Sequence, residues 1–245
     1  MARLFGTDGV RALANGEVLT AELTVGLARS AVRVLEGRTV AIGRDTRPSG
    51  PMLEAAAAAG FASAGADVLL LGVVPTPTVA HVVASGAADL GLVISASHNA
   101  MPDNGLKIFG AGGHKLTDEQ ENAIEAGISG AGTATGAEIG QVRVAPVELI
   151  EAYLGSLIAS AGSLTGLKVV VDCAQGAASA LAPELYRRLG AEVIAMHADG
   201  DGLRINESCG ATHPSSLAAA VVAEGAGCPS MMPFCGLTLM PGCTR

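Results

Sequence analysis

Short apolar runs alternate with helix-forming stretches along this chain, and that rhythm leaves few folds open. Thr20 is placed to cap a helix in which Leu23, Leu27, Ala31 and Val34 recur at helical spacing, with Gly37 expected to end it. Thr39 to Ile42 reads as a buried strand and runs into the polar loop 43–50. Pro51 suits the first turn of an Ala-rich helix reaching about Ala64. Val68 to Leu71 is a second strand. Pro75-Thr76-Pro77 turns into a helix ending near Gly86, and Leu90 to Ile94 is a third strand. Such alternation predicts an α/β fold: a doubly wound, mixed or parallel sheet covered on both faces. Ligands of such sheets gather beyond the carboxyl ends of the strands, where loops 43–50 and 95–105 are expected to share one edge. Leu106 to Phe109 offers a further strand, and Thr117 with Gln120 a capping box.

The organisation beyond this point is less regular. Residues 1–128 are expected to form the first domain. Residues 129–146, rich in Gly, Ala and Thr at their start, are expected to be a surface connection. The βα rhythm resumes over 147–226: a helix over 147–158, a strand over 167–171, a helix over 181–189, a strand over 193–196 and a helix opening at Leu217. That second α/β domain reads as incomplete. From Gly227 the chain has no period of two or 3.6, and Pro229 and Pro233 fall where the next strand belongs. Residues 227–245 are therefore expected to lie outside the fold and to have arisen from a frame change or a sequencing error. Met231-Met232-Pro233, read one base earlier, becomes an aspartate-rich run.

Hydrophobic residues make up 49 % of the chain but aromatic ones only 2 %, so Ala, Val, Leu and Ile must build the core. A net charge of −8 argues against nonspecific nucleic-acid binding and against docking on anionic lipid. The first residues show no secretory signal, and the longest apolar run, Val68 to Val74, is too short to cross a bilayer. A cytoplasmic protein is the expectation. Of five cysteines, Cys228, Cys235 and Cys243 fall after Ala226 without zinc-site spacing, so free thiols are expected.

Chemistry concentrates in the loops. Ser95-Ala96-Ser97-His98-Asn99 directly follows an apolar strand. It reads either as a nucleophile loop or as a polar turn whose Ser and Asn cap backbone groups. It lacks the G-x-S-x-G spacing of a nucleophile elbow. Asp103-Asn104-Gly105 reads as a turn entering a strand, with Lys107 as an edge lysine or a proton-transfer group. Arg44 and Arg47 share one loop, as phosphate forks or as members of internal salt bridges. Gly6-Thr7-Asp8-Gly9 with Arg11 is open to reading as a plain turn. No helix signal follows Gly110-Ala111-Gly112-Gly113, so it is no dinucleotide fingerprint.

Together these segments resemble the α-D-phosphohexomutase superfamily, and within it the bacterial branch acting on glucosamine phosphates. The segments that carry the resemblance are Phe5 to Arg11, Gly43 to Gly50, Ile94 to Asn99 and Asp103 to Lys107. Val171 to Ala174, Ile205-Asn206, Cys209-Gly210 and Thr212 to Pro214 extend it to the family's second domain, so that it runs from about Arg3 to Ala226. Ala12, Ala100 and Gln175 stand where the family has Gly, Pro and Asn.

The resemblance implies that Ser97 carries a phosphoryl group. It passes that group to a hexosamine or hexose phosphate and recovers the other phosphate from the bisphosphorylated sugar, so that glucosamine 6-phosphate becomes glucosamine 1-phosphate. A sugar bisphosphate is the implied activator. Lys107 is the implied general acid/base, Arg11 and Arg44 steady the phosphoryl group or sugar, His98 supports the serine loop, and Asn99 and Arg47 bind phosphate. Mg²⁺ is the implied cofactor, bridging the Ser97 phosphate and an Asp-Gly-Asp-x-Asp-Arg loop. That loop and the family's third and fourth domains do not occur in this sequence. A working mutase, a noncatalytic phosphosugar-binding fragment and a serine hydrolase are the competing readings, and the missing aspartates favour the fragment.

Overall fold

A computed structural model of the chain describes residues 3–130 and 132–226, together with the backbone of 228–231. It divides into two compact units: residues up to Ala96 with Pro102–Ile150, and Ser97–Met101 with residues from Glu151 onward.

The first unit alternates strands β1 (Val10–Leu13), β2 (Thr39–Arg44), β3 (Asp67–Val73), β4 (Leu90–Ile94), β5 (Asp103–Phe109) and β6 (Val142–Val144) with helices α1 (Ala21–Leu35), α2 (Gly50–Ser63), α3 (Thr76–Ala84) and α4 (Asp118–Gly127). The sheet order is β1-β5-β4-β2-β3-β6. β4, β2, β3 and β6 run parallel, and β5 is antiparallel to both of its neighbours, β4 and β1, so that β5 alone is reversed and the sheet is mixed. Alternate residues of the strands face opposite layers. Val40, Ile42, Leu92, Ile94 and Ile108 pack with Leu27 and Ala31 of α1, Leu53 and Phe61 of α2 and Ile124 of α4. On the other face α3 comes close: a Cβ at Gly91 would lie 2.7 Å from Val79 and 3.0 Å from Val83, so only glycine admits this helix.

Local signals formed where expected. Thr20 Oγ1 accepts from Leu23 N at 3.1 Å and opens α1, and Thr117 and Gln120 exchange both bonds of a capping box at 2.9 and 3.3 Å. Other expectations are corrected. α1 ends on Glu36, which takes the left-handed φ of 54°, one residue before Gly37. Asp103-Asn104-Gly105 is strand, because β1 pairs with it from Leu13↔Asp103 to Val10↔Leu106. β6, inside the stretch expected to be a connection, pairs with β3 although its three residues are exposed.

The second unit contains most of α5 (Val147–Ser160), then β7 (Lys168–Asp172), α6 (Leu181–Arg188), β8 (Glu192–Met196), α7 (Ser215–Ala223) and β9 (Cys228–Met231). Val169 and Val171 of β7 pack with Ala178, Ala182 and Tyr186. The parallel order is β8-β7-β9. The expectation that the chain leaves the fold after Ala226 is overturned at 228–231, where β9 pairs with β7 and sets Pro229 opposite Val170. A proline is tolerated there because β9 is an edge strand among the described residues. Residues 232–245 lie outside the described residues.

No helix among the described residues is long and apolar enough to cross a membrane.

Candidate active site

Two parallel strands deliver the candidate loops to one edge. Arg44 and Ile94 are paired at the carboxyl ends of β2 and β4, and Asp45 N donates to Ile94 O at 3.0 Å. Loops 43–50 and 95–105 therefore leave the sheet side by side, as strand alternation predicts.

Buried polar bonds tie these loop roots together. Asp45, 3 % exposed, receives the Ser95 hydroxyl at 2.7 Å and Arg47 Nε at 3.0 Å, both on Oδ2. Arg47 N donates to the other oxygen at 3.0 Å, and Arg47 Nη1 donates to Asp103 O at 3.0 Å. Asn104 Nδ2 donates to Ser49 Oγ at 2.8 Å. Arg47 is fully buried, which corrects its assignment as a phosphate ligand. A guanidinium that shares a carboxylate and a carbonyl inside the protein holds the loop and has no face left for a substrate. Arg44 is partly exposed, with Nε 3.2 Å from Glu54 Oε2, and is the arginine of this loop that solvent reaches.

A second cluster forms where β1 meets β5. Lys107 Nζ donates to Asp8 Oδ1 at 3.2 Å, and Arg11 Nη2 lies 3.8 Å from Asp8 Oδ2. The Lys107 hydrogen bond holds the Asp8 carboxyl below its ordinary range, against the opposing effect of desolvation, and the charges of Lys107 and Arg11 act in the same direction. Lys107 also lies 5.6 Å from the centre of the Phe109 ring. Arg11 Nε is buried with no hydrogen-bond partner among the described residues. Gly9 makes this approach possible: at φ 89° it presses on β5, and a Cβ there would sit 2.2 Å from Leu106 O.

The serine turn belongs to the second unit. Ser97 adopts φ 60°, left-handed for a residue with a Cβ, and its Oγ lies 3.4 Å from His98 Nδ1. Asn206 Nδ2 donates to Ser97 O at 2.8 Å and Asn99 O at 2.9 Å. Within this unit Asp172, 2 % exposed, accepts from Ala174 N at 2.9 Å and Gly210 N at 2.8 Å, with His197 Nδ1 at 3.0 Å.

The structure thus joins Arg11 to Lys107 through Asp8, and Ser97 to His98 and Asn99 in one turn. Sequence reasoning assigned no role to Asp8, Asp45, Ser95 or Asn206. Asp8 was visible inside a motif. Asn206 also stood inside a motif, but its contacts were not legible, because the carbonyls it binds are 109 and 107 residues away in the chain.

Donor chemistry decides whether these residues fit Mg²⁺, which takes hard oxygen ligands in octahedral geometry. Among the described residues the one cluster of potential ligands is Asp172, His197 and Cys209. Its thiol and imidazole suit softer metals. Burial and the Asp172 charge push the Cys209 thiol up to about 11, so it is not a ready thiolate. The aspartates of Asp199-Gly200-Asp201 are engaged, one with Gln175 Nε2 at 3.4 Å and the other with Leu203 N at 3.1 Å. The described residues do not fit Mg²⁺.

Comparison with known proteins places these features in a wider set. The family model described as phosphoglucomutase/phosphomannomutase, alpha/beta/alpha domain I, matches residues 2–162. The phosphoglucosamine mutase of Frankia casuarinae is 56 % identical over 241 residues, covering 92 % of this chain and 52 % of the relative. That of Rhodococcus jostii is 57 % identical over 236 residues, covering 92 % and 53 %. A phosphoglucomutase/phosphomannomutase family protein from Burkholderia thailandensis has TM-score 0.79 at 28 % identity, covering 94 % of this chain and 52 % of its own. The putative phosphomannomutase of Thermus thermophilus has TM-score 0.74 at 26 % identity, covering 94 % of this chain and 54 % of its own. The chain spans about half the length of the curated relatives it matches.

Proposed function

Because the chain belongs to the phosphoglucomutase/phosphomannomutase family, we propose that it serves a phosphoglucosamine mutase reaction with Ser97 as the phosphoryl carrier. The observation that carries the reading is the serine itself. Ser97 is held in a left-handed turn just beyond a fully buried strand, in a chain 56 % identical to a phosphoglucosamine mutase. Relatives of that name at 56 and 57 % identity favour glucosamine phosphates over glucose or mannose phosphates, which the more distant solved structures suggest at 28 and 26 %.

In the forward half-reaction the Ser97 Oγ–phosphorus bond breaks as an oxygen of the hexosamine phosphate bonds to phosphorus. The sugar hydroxyl loses a proton and the serine oxygen gains one, so one proton crosses the site. Lys107 Nζ is the proposed shuttle, with Asp8 holding the ammonium in place. The reverse half-reaction returns the other phosphate to Ser97, leaving glucosamine 1-phosphate. Arg11, whose buried Nε has no partner among the described residues, and Arg44, whose side chain reaches solvent, are the proposed phosphate donors. Asn99 and His98 frame the serine turn.

Phosphopeptide mapping after exposure to radiolabelled glucosamine 1,6-bisphosphate tests this. Stoichiometric label on Ser97, absent from Ser97→Ala, is the expected result. Label on Ser95 or another residue, or no label at all, overturns it. An acyl-enzyme probe that reacted with Ser97 would instead support the hydrolase reading.

A further inference from the structure

Ser97 takes a left-handed backbone conformation, and a residue far along the chain bonds to carbonyls of its turn. Both protons of the Asn206 amide are used on the serine turn, at 2.8 Å to Ser97 O and 2.9 Å to Asn99 O. A planar amide that bridges two carbonyls two residues apart fixes the path of the chain between them. Asn206 is itself left-handed, at φ 62°, a region that asparagine tolerates better than most residues.

The support behind Asn206 runs to a buried charge. Asn206 N donates to Ala174 O at 3.0 Å, and Ala174 N donates to Asp172 Oδ1 at 2.9 Å. Gly210 N donates to Asp172 Oδ2 at 2.8 Å, which closes the segment carrying Asn206 onto the same carboxylate. Ala174, Gln175, His197 and Ser208 are also left-handed, at φ 52°, 56°, 48° and 53°. Strained residues gathered around one turn persist only where their surroundings over-determine them, and such clusters mark functional sites.

We propose that Asn206 is a positioning residue that keeps Ser97 left-handed and so aims the oxygen that carries the phosphoryl group. This rests on the mutase reading of Ser97. Its content is that the amide of Asn206, and not the general packing of the second unit, sets the serine's geometry.

Two variants separate these roles. Asn206→Gly removes the amide while keeping a residue at ease at φ 62°. Asn206→Asp keeps the shape but presents only acceptors to two carbonyls. In both, the Ser97 and Asn99 carbonyls lose their donor and the turn opens more often, so that amide exchange over 97–101 rises about tenfold or more. The three-bond HN–Hα coupling of Ser97 moves away from its left-handed value, while exchange in β7 and α6 stays unchanged. Unchanged coupling and exchange at Ser97 in both variants overturn the proposal. So does exchange raised equally across β7, α6 and the serine turn, which would make Asn206 a general support of the fold. Phosphoryl labelling of Ser97 from glucosamine 1,6-bisphosphate slows about tenfold or more in both variants, and labelling at an unchanged rate in a loosened turn overturns the proposal. No labelling of the unaltered protein tells against the mutase reading alone, and the coupling and exchange still decide the role of Asn206.

Discussion

The hydroxyl of Ser95 donates to Asp45 Oδ2 at 2.7 Å, joining the root of the loop that carries Ser97 to the root of the arginine loop. The same oxygen receives Arg47 Nε at 3.0 Å, so one buried carboxylate anchors two loops.

Breaking that anchor is expected to be costly. Arg47→Ala leaves Asp45 as an uncompensated buried charge, and loss of one partner of such a pair costs about 3–5 kcal/mol. Arg47→Lys does not rescue it, because a point charge cannot serve both Asp45 and Asp103 O as the fork does. Urea denaturation of the variants checks this, and a loss below about 1 kcal/mol for Arg47→Ala would refute the structural role.

Acid should weaken the Asp8 cluster. The Asp8 carboxyl is lowered from 3.8, chiefly by its Lys107 hydrogen bond. Its stabilising contribution is therefore complete above the unfolded value and is lost as pH falls through the lower folded value. The Asp8 side chain is 51 % exposed, which keeps the contribution to at most about 1 kcal/mol. Asp8→Asn is expected to lower stability slightly at neutral pH, with the difference from the unaltered protein shrinking between about pH 5 and pH 2. Denaturation curves at several pH values measure it, and a difference that grew in acid would contradict the pairing.

The buried thiols of Cys173 and Cys209 are expected to resist alkylation. Burial, with the Asp172 charge adding to it, pushes Cys173 up to about 12 and Cys209 up to about 11. Thiolate, the reactive form, is scarce in the folded protein at neutral pH. With folded values raised, the stability contribution of these thiols is complete below their ordinary pKa and is lost as pH rises through 11 and 12. Peptide mapping after iodoacetamide treatment should find both residues unmodified until denaturant is added. Rapid native labelling of Cys209 would show that its burial is transient.

A polypeptide of these 245 residues is expected to show no multiple-turnover conversion of glucosamine 6-phosphate. It carries no Asp-Gly-Asp-x-Asp-Arg run, and the ligand cluster among the described residues does not fit Mg²⁺. Phosphoryl transfer depends on positioning and charge stabilisation, and without those aspartate ligands the expectation is a single, slow labelling of Ser97 with no repeated cycle of turnover. A coupled assay with Mg²⁺ and a sugar bisphosphate decides it. Turnover that vanished in Ser97→Ala would mean that other groups replace the aspartates.

Much of this protein follows from its sequence alone. β4 spans the residues that its apolar run marks out, and Thr20 and Thr117 open the helices they were placed to cap. These features are local: a period, a cap or a turn residue acts within a few positions, so one stretch of chain suffices to read it. The family motifs were legible for the same reason, each being a short continuous run. Tertiary structure alone decided the rest. β1, β6 and β9 exist because a partner strand offers unpaired backbone groups, and neither the exposed residues of β6 nor the proline of β9 announces that pairing. Arg44 and Arg47 look alike in one loop, yet burial beside Asp45 makes the second a structural clamp and leaves the first to solvent. Ser97 owes its turn to an amide 109 residues away, a contact that no periodicity encodes because it forms only when the folded backbone brings the two segments together.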